Sequence, residues 1–220
     1  MNISFARCWL VLAILALSEA SAHAQKVEAD ESGRMFFTDA AGKRSLIPVQ
    51  GKCTDPSLAP GKRRVVFVRA TPDQMVSGAT GDEEATELCV ADPDGKNFLV
   101  LVRGKFDQEP SKMLANFQAP QFSPDGKTIY FVSSAWVTSG SVQAYNLAAK
   151  KLRFVMAGSD LEVVPSGEYA GNLLVQQHRY FLGGGSYDWY WLMKPDGKEI
   201  GVVGESTEVF KDTYYEVGKR

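Results

Sequence analysis

The sequence predicts an all-β fold, a small β-propeller of about 3.5–4 four-stranded antiparallel blades, and three observations lead there. A strand–turn–strand unit recurs along the 220 residues with a period of roughly fifty, the length of one blade. The apolar runs inside each unit are short and rich in β-branched and large side chains, which suits strands and leaves too little length for helices. Asp-Gly and Ala-Gly pairs sit where a hairpin needs residues tolerant of positive φ. The composition, 45% hydrophobic and 23% charged, supplies a core of ordinary size. Lys+Arg 24 against Asp+Glu 26 leaves a net charge of −2, so nothing draws the chain to nucleic acid.

The elements follow in chain order. Residues 1–24 read as a signal peptide: Arg7, an apolar run from Cys8 to Leu17, then small residues ending in Ala22-His23-Ala24, an A-x-A cleavage site before Gln25. The apolar run of about ten residues is half of what a bilayer core requires. Residues 25–220 are then a single domain, periplasmic or secreted, and at most peripheral to a membrane. Cleavage discards Cys8 and leaves Cys53 and Cys89, which are expected to pair in an oxidising compartment. Such a bridge would contribute roughly 3–4 kcal/mol by constraining the unfolded chain. No C-x-x-C is present, and neither a metal site nor a cofactor is expected.

The hairpin Arg34-Met-Phe-Phe-Thr-Asp-Ala-Ala-Gly42-Lys43 recurs at Glu87–Lys96 and Trp189–Lys198, with a weaker copy at Val142–Lys150. Turn positions 42, 95, 149 and 197 give intervals of 53, 54 and 48. A second hairpin type lies between them, clearest at Ala119-Pro-Gln-Phe-Ser-Pro-Asp125-Gly126-Lys-Thr-Ile-Tyr-Phe-Val132 and matched by Asp55–Val68. Two hairpins per period make the four strands of a blade.

The stretch Phe122-Ser-Pro-Asp-Gly-Lys-Thr-Ile-Tyr-Phe-Val132 resembles the repeat of TolB-type, WD-like β-propellers. The resemblance runs from about Arg34 to Val203 and implies a propeller in a periplasmic setting. It also implies partner binding through loops and the central channel, with Asp125 and Gly126 as turn formers. It carries no catalytic residue over.

Hairpin counting gives a half blade at 34–49 and full blades at 55–102, 118–156 and 161–203. Glu208–Val217 is read as a closing strand beside the half blade, the alternatives being an open arc or a dimer that completes a larger ring. Two stretches exceed what hairpins need: a polar loop from Ala70 to Thr86 with Asp82-Glu83-Glu84, and Gly104–Gln118 with Phe106, Met113, Leu114 and Phe117. Loops of that length are functional or mobile more often than short ones, with surface decoration as the alternative. Lys62-Arg63-Arg64, placed on a strand, alternate faces and form no patch.

Gly183-Gly-Gly-Ser186-Tyr-Asp188 imitates a nucleophile elbow, but Asp188 stands where G-x-S-x-G needs its last glycine, and no histidine follows Ser186. Asp92-Pro-Asp94-Gly95-Lys-Asn97 lacks the further acidic positions of a calcium loop and reads as a β-turn. The densest aromatic stretch surrounds His178, with Trp189 and Trp191 on one strand face and Tyr190 on the other. Core packing explains part of it. His178, Tyr187, Asp188 and Trp189 remain as candidate partner-binding residues, because amphipathic aromatics anchor interfaces.

The expected function is therefore a non-catalytic exported scaffold that engages a protein partner in the cell envelope. The alternatives are a hydrolase-type enzyme with a site near His178, Ser186 and Asp188, or an inhibitor or immunity factor against an envelope-targeting enzyme.

Overall fold

The computed structural model describes residues 24–78 and 81–215. The predicted leader lies outside the described residues, save Ala24. The described residues are all-β apart from one short 3-10 turn and one helix near the C-terminus, and their four antiparallel sheets follow one another along the chain. The first sheet contains β1 (Lys26–Ala29), β2 (Met35–Thr38) and β3 (Arg44–Ile47). The second contains β4 (Cys53–Leu58), β5 (Val65–Gly78), β6 (Gly81–Ala91) and β7 (Leu99–Arg103). The third contains β8 (Gln118–Phe122), β9 (Thr128–Trp136), β10 (Ser139–Asn146) and β11 (Lys151–Ala157). The fourth contains β12 (Asp160–Val163), β13 (Leu173–Tyr180), β14 (Ser186–Met193) and β15 (Glu199–Gly204). Each four-stranded sheet is an up-and-down meander, as a propeller blade requires.

The repeated hairpins hold because their turns are chemically equivalent. Gly42, Gly95 and Gly197 have φ of 79°, 80° and 92°, and their amides donate to the carbonyls of Asp39, Asp92 and Lys194. Only glycine adopts that conformation without strain. In the weak copy the left-handed position is Lys150, at φ 51°, one residue beyond the alignment drawn at 149, and Asn146 Oδ1 accepts from Ala149 N at 2.7 Å. Aligned on these turns, β2 and β3 match the third and fourth strands of the other sheets, so the first sheet lacks the counterpart of β4, β8 and β12.

Sheets pack face to face through three apolar layers. Met35 and Ile47 meet Cys53, Val65, Phe67 and Cys89 between the first and second. Val66, Val68, Leu88 and Val90 meet Phe117, Phe122, Ile129 and Phe131 between the second and third. Tyr130, Val132, Val142 and Met156 meet Leu161, Leu173, Val175 and Met193 between the third and fourth. β4, β8 and β12 contact one another in sequence along the inside, but no comparable packing joins β12 to β1, so the ring stays open.

The structure corrects five expectations. Residues Glu208–Tyr214 form a helix, α1, rather than a closing strand, and Phe210 buries against Val164, Leu174 and Leu192 on the outer face of the fourth sheet. Residues 216 and 217 of the expected strand lie outside the described residues. Cys53 and Cys89 are free thiols. They sit on β4 and β6 with β5 between them, about 9.5 Å apart in the hydrogen-bonding direction, whereas a disulfide needs Cα atoms within about 7 Å.

The segment 70–86 is no loop, because β5 and β6 carry their pairing out to Gly78–Gly81 across a bulge at Pro72, Asp73 and Gln74. The second stretch is core at its end rather than a mobile loop or decoration: Met113, Leu114, Ala115 and Phe117 are buried, Phe117 meets Phe131 edge-on at 5.0 Å, and Phe106 stays exposed. Lys62, Arg63 and Arg64 occupy the turn before β5, where Lys62 takes φ 54°.

Candidate functional site

The β13–β14 hairpin carries every residue singled out as a candidate binding group. Its turn closes by Gly184 N donating to Phe181 O and Phe181 N donating to Gly185 O, both at 3.1 Å. Gly184 and Gly185 stand at φ 96° and 85°, which explains the glycine run. At the tip, Tyr180 is 71% exposed, Phe181 52%, and Leu182 has no neighbour covering it.

Pairing puts His178 opposite Asp188, Arg179 opposite Tyr187, and Gln177 opposite Trp189. Directly opposed residues share a face, so His178 and Asp188 lie on one face of the sheet, while Tyr187 and Trp189 lie on the other. His178 Nδ1 and Asp188 Oδ1 are 2.8 Å apart. A carboxylate only accepts, so Nδ1–H is the donor of this bond, which in the neutral ring leaves Nε2 as an acceptor. The Tyr180 ring stands edge-on to the imidazole at 5.0 Å. Further along this face Tyr190 donates to Asp160 Oδ2 at 2.6 Å, and burial followed by that acceptor pushes its hydroxyl up to about 12. Glu162 accepts from Tyr215 at 2.7 Å and pairs with Lys211, which ties α1 to the lower half of the face.

On the opposite face Tyr187 touches Phe181 at 4.5 Å and Trp189 at 4.9 Å between ring centroids. The Arg179 guanidinium lies over Trp191 at 3.4 Å and bridges to Glu199 at 2.8 Å. Lower on that face Trp191 packs against the third sheet. Among the described residues no further sheet packs on the face holding His178 and Asp188, and α1 covers only its far end.

Ser186 shares that face with Asp188 but pairs with Tyr180, and no hydrogen bond joins it to His178 among the described residues. The described residues also hold no cluster of three His, Cys, Asp or Glu side chains able to bind a metal, and no helix long and apolar enough to cross a membrane. Sequence reasoning missed Asp160, Gln176, Tyr190 and the exposed Phe181–Leu182 tip. Once the turn is placed at 181–185, register alone puts Gln176 and Tyr190 on the His178 face.

No protein-family model matches the sequence, and no curated protein matches it. Solved structures do. TolB from Acinetobacter baumannii superposes with a TM-score of 0.51 at 12% identity, over 78% of this chain and 37% of that one. The β-propeller domain of the trilobed protease from Pyrococcus furiosus, which has an open velcro topology, gives 0.52 at 10% identity, over 83% and 53%. Puromycin hydrolase in a complex gives 0.50 at 15% identity, over 80% and 28%. The chain thus spans from 28% to 53% of the lengths of these proteins. At such identities the likeness is one of fold, and in fold this chain is an open, TolB-like β-propeller.

Proposed function

We propose that this chain is an exported, non-catalytic binding protein of the cell envelope, a single domain that follows a leader cleaved near Ala24–Gln25. The fourth blade engages a protein partner through its hairpin tip and the face of His178 and Asp188. The observation that carries this reading is the exposure of Tyr180, Phe181 and Leu182 together on a glycine-built tip. Contiguous apolar groups held out into solvent and rimmed by polar ones mark interaction sites. Tyr187 and Trp189 stack behind the tip as rigid anchors, and His178 and Asp188 supply the polar rim.

The test is an affinity capture from an envelope extract with residues 25–220 as bait, beside a Phe181→Ala, Leu182→Ala variant and a Tyr187→Ala, Asp188→Ala variant. A protein held by the wild type should bind each variant at least about 30-fold more weakly, the cost of losing an interface anchor. Retention that is equal for all three baits sinks the assignment of this surface.

One observation favours a second reading. The His178–Asp188 pair, whose Nε2 has no hydrogen-bond partner among the described residues, resembles the base-and-orienter half of a hydrolytic relay, and Ser186 lies on the same face. Turnover of activated esters that His178→Ala abolishes would establish it, and rates equal to buffer alone would remove it.

A further inference from the structure

A cavity of about 360 Å³ opens between the second and third blades, far in sequence from the hairpin of the fourth. Glu83 reaches it from the extended β5–β6 hairpin, Asn116 and Gln118 from the segment entering β8, Trp136 and Thr138 from the β9–β10 hairpin, and Ser159 from the link to β12. Its volume lies at the small end of the roughly 300–1,000 Å³ of small-molecule sites. Four separate chain segments converge on it, and the burial of Met113, Leu114, Ala115 and Phe117 is what brings Asn116 and Gln118 there.

The chemistry of the lining is selective. Asn116, Gln118, Thr138 and Ser159 have no side-chain hydrogen-bond partner within the protein among the described residues. These amides and hydroxyls both donate and accept. Ser134 donates to Glu83 Oε2 at 3.3 Å, which fixes the one carboxylate of the wall. Among the described residues no lysine, arginine or histidine lines the cavity, and its one carboxylate is that of Glu83, so the lining offers a phosphate or carboxylate ligand like charge and amide or hydroxyl partners only. Trp136, 37% exposed and held edge-on by Phe154 at 6.2 Å, offers an apolar plate at the rim.

We infer that this inter-blade cavity binds a neutral, hydroxyl-rich ligand, a mono- or disaccharide. Its C–H face lies on Trp136, and its hydroxyls bond to Asn116, Gln118, Thr138, Ser159 and Glu83. A sugar hydroxyl donates and accepts at once, which matches a wall of mixed amides and hydroxyls better than a ligand of one polarity does. The site is independent of the fourth-blade surface and stands if that surface proves wrong.

The experiment is calorimetric titration of residues 25–220 with maltose, cellobiose and N,N'-diacetylchitobiose, with glucuronic acid and glucose 6-phosphate as anionic controls. At least one neutral sugar should bind, and both anions should bind at least about 10-fold more weakly. Gln118→Ala removes an exposed amide with little consequence for folding and should weaken binding about 2- to 10-fold, the range for one hydrogen bond. Trp136→Ala should weaken it about 10-fold or more. Failure of all three neutral sugars at low millimolar concentration overturns the inference. So does equal binding of the anions, or binding that Gln118→Ala leaves intact.

Discussion

Cys53 and Cys89 are both almost wholly buried, and each faces a residue of the strand that separates them: Cys53 pairs with Arg69, and Cys89 with Phe67. Burial pushes the Cys53 thiol up to about 11 and the Cys89 thiol up to about 12, partly countered by the nearby Arg69 guanidinium. Below the unfolded thiol range near 9, both states hold these protons and the groups are neutral in the balance. As pH rises past that value the unfolded chain ionises first, so stability falls progressively toward pH 11–12. A thiol reagent at pH 8 should therefore label neither cysteine in the native protein and both in denaturant. A reductant should leave the melting temperature unchanged, and a fall of several degrees on reduction would mean that a bridge forms after all. An even cysteine count in an exported chain suggests pairing, but parity carries no information on which strands hold the residues. Only the sheet order, β4-β5-β6, reveals the intervening strand.

The C-terminal segment shows how an element's type can turn on what covers it. Val209, Phe210, Thr213, Tyr214 and Tyr215 are good strand formers, and a closing strand was the natural expectation. The same sequence spaces Phe210 and Tyr214 four apart, and in α1 their rings meet at 4.9 Å and close on Tyr169. The apolar patch of Val164, Leu174 and Leu192 has no neighbouring blade to cover it, so a helix that caps it gains more than a strand at a distant edge. Phe210→Ala should cost about 2–4 kcal/mol in urea-monitored unfolding, mostly through lost burial, with the far-ultraviolet strand signal intact. A loss under about 0.5 kcal/mol would show that α1 is not docked as described. The hairpins were legible for the opposite reason. Their turns are fixed by local chemistry, Gly42, Gly95 and Gly197 in the left-handed region, and that survives any tertiary arrangement. The extended β5–β6 hairpin was not legible, since Asp82, Glu83 and Glu84 have poor strand propensity and pair only because Met75, Val76 and Ser77 lie opposite them.

Across the whole molecule, the period revealed the blades but not whether they close, because closure depends on contacts between the first and last sheets that no repeat encodes. An open arc differs energetically from a ring. Among the described residues the second and third sheets are packed between two others, whereas the first and fourth each have one face without a neighbouring sheet, that of the fourth being partly capped by α1. On the first sheet that face carries Phe36 beneath the Arg44 guanidinium, 3.5 Å from its ring, with Glu28 bridging to Arg44 at 2.9 Å, so it contributes little burial. The arc then behaves as a short linear array in which each sheet is stabilised by its neighbours and the ends fray first. Amide hydrogen exchange should rank the sheets accordingly. Val65–Phe67, Val90–Ala91 and Ile129–Val132 exchange slowest, the fourth sheet is intermediate because α1 caps part of it, and Lys26–Ala29 with Met35–Thr38 exchange fastest. A closed ring, in one chain or through a second copy, would protect the first and fourth sheets as fully as the middle ones. Uniform protection at low protein concentration would then mean closure within the chain, and protection that rises with concentration would mean that a second copy supplies the missing neighbour.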